Sequence, residues 1–262
     1  DQMERACEGI EVVLHLAALI SIPYSYSAAD SYLDTNVRGS MNVFRAALKA
    51  KVARIVHTST SEVYGTPKDL PIRETHPLQA QSPYAATKVA ADQMAQAFHL
   101  SHDLPVVTLR PFNTYGPRQS TRAILSTILV QLISGKREIL LGRLDPRRDL
   151  TFVRDTVDGF LRAAVAPDIV GETIQLGTGR AVSIGELFEV CQKVVGVRAT
   201  VREDARRVRP SRSEVMVLQS DPTRARDLLQ WTPSTSLEEG IRMTAAWLRD
   251  NLPHYNVDRF HV

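Results

Sequence analysis

Short apolar runs alternate along this chain with longer segments in which apolar residues recur at helical spacing. Residues 11–19 form a near-continuous apolar run, which is typical of a buried parallel strand. The pattern predicts further strands at residues 54–58, 106–110, 138–141, 150–153 and 173–176. Helices are predicted at residues 30–50, 84–101, 121–134, 156–166, 183–195 and 236–251, after the end of a helix at residues 1–9. This alternation predicts an α/β fold with a doubly wound parallel sheet.

Two of the predicted helices begin beside residues that suit a helix cap. Asp30 or Ser31 is predicted to cap the helix that runs to residue 50. Ser82, followed by Pro83, is predicted to cap the helix at residues 84–101. The intervening segments at residues 20–29, 66–82 and 111–119 are predicted to be loops.

Composition narrows the class of protein. The chain has 262 residues, 44% of them apolar, which suits one α/β domain or one domain with a smaller appendage. A formal charge of +3 is too small to indicate a nucleic-acid ligand. Cys7 and Cys191 are the two cysteines, so we expect no disulfide framework and a reducing cytoplasm. Residues 12–22 are too short an apolar run to span a bilayer, and no clustered His, Cys or carboxylate spacing indicates a metal.

Two short motifs carry candidate chemistry. Tyr84 and Lys88 lie four residues apart in a predicted helix and therefore on one face of it. An ammonium beside a phenol favours the phenolate, so we expect Lys88 to lower the pKa of Tyr84. Such a base suits removal of a hydroxyl proton during hydride transfer to a nicotinamide. The stretch Thr60-Ser61-Glu62 adds a carboxylate, which predicts a further step on the oxidised intermediate.

A Gly-rich turn normally follows the first strand of a dinucleotide-binding sheet, and this sequence contains none. The nearest match is Gly177-Thr178-Gly179, where Val182 stands in place of the third glycine. We interpret that stretch as an ordinary strand-to-helix turn. The sheet is therefore expected to be N-terminally incomplete, with the pyrophosphate-binding turn upstream of Asp1.

The ordered motifs resemble those of extended short-chain dehydrogenases/reductases that modify nucleotide sugars. The resemblance rests on residues 16–18, 34–39, 60–65, the Tyr84/Lys88 pair, residues 110–118, 147–149 and 209–210. Residues 18–26 with 57–62 are most similar to bacterial NAD-dependent 4,6-dehydratases that act on nucleotide-linked N-acetylhexosamines for legionaminic-type sugars. Two departures matter: hexose 4,6-dehydratases have Asp where this chain has Ser61, and Thr-Ser-Glu also occurs in UDP-glucuronate decarboxylases. Simple 4-epimerases usually carry small or hydroxyl residues at the position of Glu62.

The resemblance implies a Rossmann-type fold, NAD as cofactor, a nucleotide sugar as substrate and a homodimer. It implies that Tyr84 takes the C4 hydroxyl proton, that Lys88 holds the nicotinamide ribose and that Glu62 removes the C5 proton. Thr60 and Ser61 complete the implied catalytic set. The implied cofactor contacts are Leu16, Ala17, Ala18, Asn36, Ser59, Tyr84, Lys88 and Phe112, and the implied substrate contacts are Thr60, Asn113, Arg148 and Arg209. Residues 1–115 and 150–178 would bind NAD, and residues 116–149 and 179–262 would form a small C-terminal α+β substrate lobe.

Several alternatives stay open from the sequence. Ser61 either relays a proton or only caps a turn, Asn36 either positions the catalytic loop or packs within a helix, and His15 is expected to be a satisfied core histidine. Dehydration of the sugar is the preferred reaction, with uronic-acid decarboxylation and 4-epimerisation as alternatives. A non-catalytic remnant that binds nucleotide sugar weakly is the interpretation from a different functional class.

Overall fold

The computed structural model describes residues 2–256. Asp1 and residues 257–262, the last of which belong to the predicted C-terminal substrate lobe, lie outside the described residues. The strands are β1 Val12–His15, β2 Arg54–Thr58, β3 Val106–Pro111, β4 Asn113–Tyr115, β5 Glu138–Leu141, β6 Arg147–Phe152, β7 Thr173–Leu176, β8 Ala181–Ser183, β9 Thr200–Glu203 and β10 Val217–Leu218. The α-helices are α1 Gln2–Cys7, α2 Ile22–Ser25, α3 Ala29–Tyr32, α4 Gly39–Ala50, α5 Pro83–His102, α6 Ile124–Ile133, α7 Val153–Val165, α8 Ile184–Val195, α9 Thr223–Leu229 and α10 Leu237–Asn251.

A parallel sheet with the strand order β1-β2-β3-β7 forms the centre of the fold. Successive strand residues point to opposite faces, so Ile55 packs against α4 and α5 while its neighbour Val56 packs toward α7 and α9. Helices therefore cover both faces of the sheet. The predicted doubly wound parallel α/β fold is confirmed.

Further strands and helices form a second structural unit beside the central sheet. Strands β10, β6 and β4 pair in parallel, β8 pairs antiparallel with β6, and β5 pairs in parallel with β9. A separate apolar core lies among α6, α8 and α10, and it includes Leu129, Phe188 and Ile241. This arrangement of mixed strands and helices matches the predicted α+β character of the C-terminal part.

Some predicted boundaries are wrong. The segment at residues 111–119 is not entirely a loop, because Asn113–Tyr115 forms β4 and pairs with Leu150–Phe152 far along the chain. The loop at residues 20–29 contains the short helix α2. The turn at residues 177–179 leads into β8 before α8 begins, so it is not a direct strand-to-helix turn. Strands β4 and β8 depend on distant pairing with β6, and elements of three or four residues are too short to leave a periodic signal in the sequence.

The predicted helix at residues 30–50 begins one residue earlier and changes geometry along its length. Its N-cap is Ala28, which makes no side-chain cap, so the predicted caps at Asp30 and Ser31 are wrong. Leu33–Arg38 forms a six-residue π-helical segment between α3 and α4. Such segments occur mostly at functional sites. Here the segment carries Asn36 toward the loop that follows β1.

Helix α5 begins as the sequence predicted. The Ser82 side chain accepts a hydrogen bond from the Ala85 N–H at 3.1 Å, and Pro83 occupies the first turn. The helix ends at Asp103, whose φ of 53° is left-handed. A defined start fixes which face of α5 turns toward the sheet.

Asp149, within β6, joins that strand to two neighbouring loops. Its carboxylate accepts hydrogen bonds from the N–H and hydroxyl of Thr178, the N–H of Gly179, and the N–H and hydroxyl of Ser220. A side chain on Gly177 would lie 2.2 Å from Ser220 Oγ, so glycine is required where these loops meet. This fully buried carboxylate therefore holds the β7–β8 turn against the loop before α9.

We predict that Asp149→Ala lowers the free energy of unfolding by about 3 kcal/mol or more, because several buried donors lose their acceptor. Chemical denaturation measures this difference. Asp158→Ala, which removes an exposed carboxylate paired with Arg162, serves as the control and is expected to cost at most about 1 kcal/mol. Equal destabilisation by the two variants would contradict the role assigned to Asp149.

Candidate active site

The carboxyl ends of the central parallel strands lie at one edge of the sheet, and the predicted site residues follow three of them. Leu16, Ala17 and Ala18 follow β1, and residues 59–62 follow β2. Phe112 follows β3, and Asn113 is the first residue of β4. Because parallel strands share their direction, these segments meet at the same edge, which is where ligands bind in open α/β sheets.

Helix α5 presents Tyr84 and Lys88 to this edge. Both residues are buried, with 7% and 3% of their surface exposed. The Lys88 ammonium donates a hydrogen bond of 2.5 Å to the Thr58 carbonyl at the end of β2. The Thr60 hydroxyl lies within hydrogen-bonding reach of the Tyr84 phenol, and the Glu62 carboxylate is close enough to influence it. The structure therefore brings Thr60, Glu62, Tyr84 and Lys88 together.

Burial controls the acidity of Tyr84. The pKa of this phenol is raised well above its usual range by desolvation. The hydrogen bond with Thr60 acts in the opposite direction, while the negative charges of Glu62 and Asp92 raise the pKa further. The Lys88 ammonium donates to the Thr58 carbonyl, and the expectation that it lowers the pKa of Tyr84 stays a prediction.

The turn that carries Glu62 is capped by Thr60. The 3-10 turn Ser61–Tyr64 begins there, and the Thr60 hydroxyl accepts a hydrogen bond from the Glu62 N–H at 3.3 Å. Ser61 is buried inside the turn, whereas Glu62 is half-exposed. The capping role considered for Ser61 is thus taken by Thr60.

Asn36, Ser59 and Phe112 are buried beneath the edge of the sheet. The Asn36 amide accepts from the Leu19 N–H, donates to the Leu19 carbonyl and donates to the Thr87 hydroxyl. These bonds fix the loop after β1 against α5. The Ser59 hydroxyl donates to Asp92, and Phe112 packs in an apolar cluster with Tyr64 and other residues.

Leu16 and Ala17 are exposed at the edge and Ala18 is half-buried. Leu16 has 59% of its surface exposed although it follows a strand of the central sheet. Small or apolar side chains at this position leave room for a flat ligand to approach the backbone.

The two arginines predicted to bind phosphate share one carboxylate. Arg148 Nη2 lies 3.0 Å from Glu214 Oε1, and Arg209 Nη1 lies 3.6 Å from the same atom. Arg148 also donates to the Val215 carbonyl and is almost fully buried, whereas a quarter of the Arg209 side chain is exposed. Asn113 has a buried side-chain oxygen without a hydrogen-bond partner. The geometry leaves Arg209 more accessible than Arg148.

The sequence analysis missed two residues that surround this site. Tyr32 is fully buried, and its ring packs edge-on against that of Tyr84 with centroids 6.2 Å apart. Asp92 lies one helical turn beyond Lys88 on the same face of α5 and receives hydrogen bonds from both neighbouring strands. The spacing of Tyr84, Lys88 and Asp92 is the signal from which Asp92 could have been found. No comparable pattern marks Tyr32.

His15 is a core histidine, as predicted. Its Nε2 lies 2.9 Å from the Ser40 hydroxyl, and burial lowers its pKa to about 3. Among residues 2–256, no group of three or more His, Cys, Asp or Glu side chains is placed to hold a metal ion. Over the same residues, the helices fall short of the length and apolar character needed to cross a membrane.

Comparison with known proteins assigns the family. The family model for GDP-mannose 4,6-dehydratase matches residues 3–244 of the chain. This protein belongs to that family. A UDP-glucose 4-epimerase from Mycolicibacterium smegmatis is 35% identical over 245 residues, which make up 92% of this chain and 76% of that protein.

Two further relatives show how closely the family's reactions are related in sequence and fold. A dTDP-glucose 4,6-dehydratase from Streptomyces griseus is 32% identical over 245 residues, covering 93% of this chain and 73% of that protein. The crystal structure of DesIV, a dTDP-glucose 4,6-dehydratase from Streptomyces venezuelae with NAD bound, matches with a TM-score of 0.88 at 27% identity. That match covers 97% of this chain and 78% of the DesIV chain. The family membership therefore supports the resemblance to extended dehydrogenases/reductases, while the legionaminic-type specificity stays a prediction.

We predict that Tyr84→Phe lowers turnover of a nucleotide sugar by about 10²-fold or more, because a positioned general base is lost. Binding of the nucleotide sugar is expected to persist, since the ring still fills its site. Steady-state kinetics and calorimetry measure the two effects. Tyr255→Phe removes a hydroxyl that donates to the Gln119 carbonyl, and it is the matched control with near-parental turnover. Parental turnover in Tyr84→Phe would contradict the assignment.

Proposed function

We propose that this protein is an NAD-dependent nucleotide-sugar 4,6-dehydratase that converts a nucleotide-activated hexose or N-acetylhexosamine to its 4-keto-6-deoxy form. The observation that carries the proposal is that Glu62, in the turn after β2, lies at the same edge of the sheet as Tyr84, where its charge acts on the phenol. A tyrosine alone suffices to take a hydroxyl proton. A carboxylate beside it can remove a second proton, from the carbon next to the new ketone.

Each residue of the proposed catalytic set has a separate role in this reaction. Tyr84 holds the proton from the C4 hydroxyl, and Thr60 supports the phenolate through its hydroxyl. Glu62 removes the C5 proton, after which water leaves from C6. Ser61 is a poor acid for this departure, so we propose that it orients a water or relays a proton from Glu62. When the proton on Glu62 has left with the C6 hydroxyl as water, Glu62 takes up a proton from solvent and delivers it to C5, and Tyr84 releases the C4 hydroxyl proton to solvent.

NAD fits the residues at this edge. When bound, NAD takes a hydride from C4 and returns it to C6, so the reaction has no net redox change. Lys88 has three donors and uses one on the Thr58 carbonyl, which leaves donors for the hydroxyls of a ribose. The buried Thr58 hydroxyl has no protein partner, and the exposed Leu16–Ala17 backbone offers a surface for the cofactor. A positive nicotinamide ring would also oppose the effect of burial on the pKa of Tyr84.

The nucleotide sugar would lie between the sheet edge and the C-terminal lobe. We keep the predicted division, with residues 1–115 and 150–178 binding NAD and residues 116–149 and 179–262 binding the substrate. Arg209 is the better candidate for the diphosphate because a quarter of its side chain is exposed, and Arg148 supports it by sharing Glu214. Asn113 has an unpaired oxygen that can accept from a sugar hydroxyl.

A 4-epimerase is the second candidate function. The 35% identity to a UDP-glucose 4-epimerase favours it, and it needs Tyr84 and Lys88 without using Glu62 as a base. Decarboxylation of a uronic acid is a variant that tolerates Ser61, since no hydroxyl has to leave.

One measurement separates these reactions. The protein is incubated with NAD and a panel of UDP-, GDP-, dTDP- and CDP-linked sugars and uronic acids, and the products are weighed by mass spectrometry. We expect loss of one water from a hexose or N-acetylhexosamine. Loss of carbon dioxide would show the decarboxylase, and an unchanged mass with a new chromatographic peak would show the epimerase. No product from any sugar would support the non-catalytic interpretation.

We predict that Glu62→Gln stops dehydration but leaves C4 oxidation intact, because the C5 base is lost while Tyr84 and Lys88 remain. Reduced nicotinamide is then expected to accumulate after substrate is added, and its absorbance band measures this. Glu189→Gln, an exposed change on α8, is the control and is expected to behave like the parent protein. Full dehydratase activity in Glu62→Gln would show that another group removes the C5 proton.

We also propose a homodimer formed through the helices around α4 and α5. Two apolar side chains on these segments support the proposal, since Leu33 is 51% exposed and Leu100 is 75% exposed. Six apolar residues on these helices suggest an interface from the sequence, and five of them are half-buried: Val37, Met41, Val89, Met94 and Phe98. The sixth, Phe44, is fully buried in the core of the subunit, so its predicted place in the interface is wrong. Light scattering at micromolar concentration is expected to report a dimer, and Leu100→Glu is expected to weaken it. A monomer at that concentration would contradict the proposal. The cytoplasmic location stays a prediction.

A further inference from the structure

Lys88, which lies at the edge where the substrate is proposed to bind, belongs to a cluster of buried polar and charged groups that the proposed reaction does not otherwise use. The cluster consists of Lys88, Asp92, Arg110, His57 and Ser59, all of which are buried. Tyr84, Lys88 and Asp92 are successive members of one face of α5, separated by four residues each. His57 and Ser59 come from β2 and its end, and Arg110 comes from β3.

Asp92 is the only carboxylate of this cluster, and its two oxygens are already occupied. Oδ1 accepts from His57 Nε2 at 3.1 Å, and Oδ2 accepts from the Ser59 hydroxyl at 2.7 Å. Oδ2 also accepts from Arg110 Nε at 3.2 Å and Nη2 at 3.1 Å. These bonds lower the pKa of Asp92 despite its burial, so the carboxylate stays ionised.

Lys88 is in the opposite situation. Within residues 2–256 its ammonium donates to one acceptor, the Thr58 carbonyl, and forms no ion pair with a carboxylate. Burial lowers the pKa of Lys88, and the charge of Asp92 is the influence that raises it. A buried ammonium without a counter-ion tends to lose its proton.

Apart from Glu62, whose turn after β2 also packs against α5, the other titratable groups near Lys88 do not supply a negative charge. His57 on β2 and His15 on β1 are buried, and desolvation lowers the pKa of both, so they are neutral. Tyr84 on α5 is held neutral by burial. Arg110 on β3 is a cation, and its guanidinium is bound to Asp92 and to the Tyr64 hydroxyl.

We propose that Asp92 is a positioning residue that keeps Lys88 protonated through space. Positions four apart on a helix have Cβ atoms about 6 Å apart, close enough for a strong interaction in a dry interior. Because other donors fill both oxygens of Asp92, the carboxylate attracts Lys88 without forming a direct bond that would draw the ammonium away from the Thr58 carbonyl.

The test measures the titration of Lys88 directly and needs no substrate. The chain has six lysines, so NMR of protein labelled with ¹³C at lysine Cε gives few signals, and Lys88→Gln identifies the one from Lys88. In the parent protein, Lys88 is expected to be protonated at neutral pH. In Asp92→Asn, its midpoint is expected to fall by about one pH unit or more.

Ser59→Ala is the matched control, because it removes one hydrogen bond from Asp92 and keeps the charge. Its Lys88 midpoint is expected to equal that of the parent. Asp92→Asn leaves the buried Arg110 without its carboxylate partner. If that variant does not fold, the double variant Asp92→Asn with Arg110→Met replaces it. The same fall of the Lys88 midpoint is expected. A parental midpoint in the folded variant, an equal fall in Ser59→Ala, or a Lys88 that is neutral at pH 7 in the parent would each overturn the proposal.

A second experiment measures kinetics and depends on the proposed function. Its outcome can be told apart from that of the Lys88 titration. Activity that needs protonated Lys88 is lost as pH rises through the pKa of that residue. The alkaline limb of reduced-nicotinamide formation is therefore expected to move to lower pH in Asp92→Asn by the same shift as the NMR midpoint. If no nucleotide sugar reacts, the proposed function is wrong, and the titration still decides the role of Asp92.

Discussion

Asp92 binds helix α5 to the central sheet, and the position of the candidate site depends on this connection. Its carboxylate receives hydrogen bonds from His57 on β2, from Ser59 just beyond it and from Arg110 on β3. Without these bonds, α5 would be joined to the central sheet mainly by apolar packing and by the hydrogen bond from Lys88 to the Thr58 carbonyl, and apolar packing resists sliding and rotation less specifically than directional bonds do. The connection fixes Tyr84 and Lys88 at the carboxyl edge, where the residues after β1 and β2 converge.

The candidate site buries Tyr84 and Lys88 deeply but gives their polar atoms few hydrogen-bond partners within the protein. The phenol of Tyr84 is dry, yet its nearest polar neighbour is a hydroxyl, Thr60, and Lys88 is bonded to a backbone carbonyl. Burial strengthens every electrostatic effect and keeps Tyr84 neutral in the protein's own field. Ionisation of Tyr84 therefore requires positive charge close by, and Lys88 contributes such charge only while it keeps its proton. The protonation states of Tyr84 and Lys88 are therefore set by the balance of the buried charges around them.

The family's reactions share this machinery and differ in what surrounds it. A 4-epimerase and a 4,6-dehydratase both begin by oxidising C4, and relatives of both kinds match nearly the whole of this chain. The proposed dehydratase and epimerase functions differ in the use of the turn after β2, where the charge of Glu62 acts on the Tyr84 phenol and Ser61 is buried. The overall fold does not distinguish the reactions, because it positions the base and not the second proton acceptor.

The sequence by itself determined the parallel sheet, the start of α5 and the shared face of Tyr84 and Lys88, because apolar periodicity, the Ser82-Pro83 cap and four-residue spacing are local signals. The tertiary structure decided the rest. Strand β4 exists because it pairs with β6, and the π-helical segment is held by bonds from Asn36 to a loop seventeen residues away in sequence. The raised pKa of Tyr84 and the burial of Arg148 depend on what packs around them. Desolvation and long-range pairing act between residues far apart in the chain, and no local pattern records them.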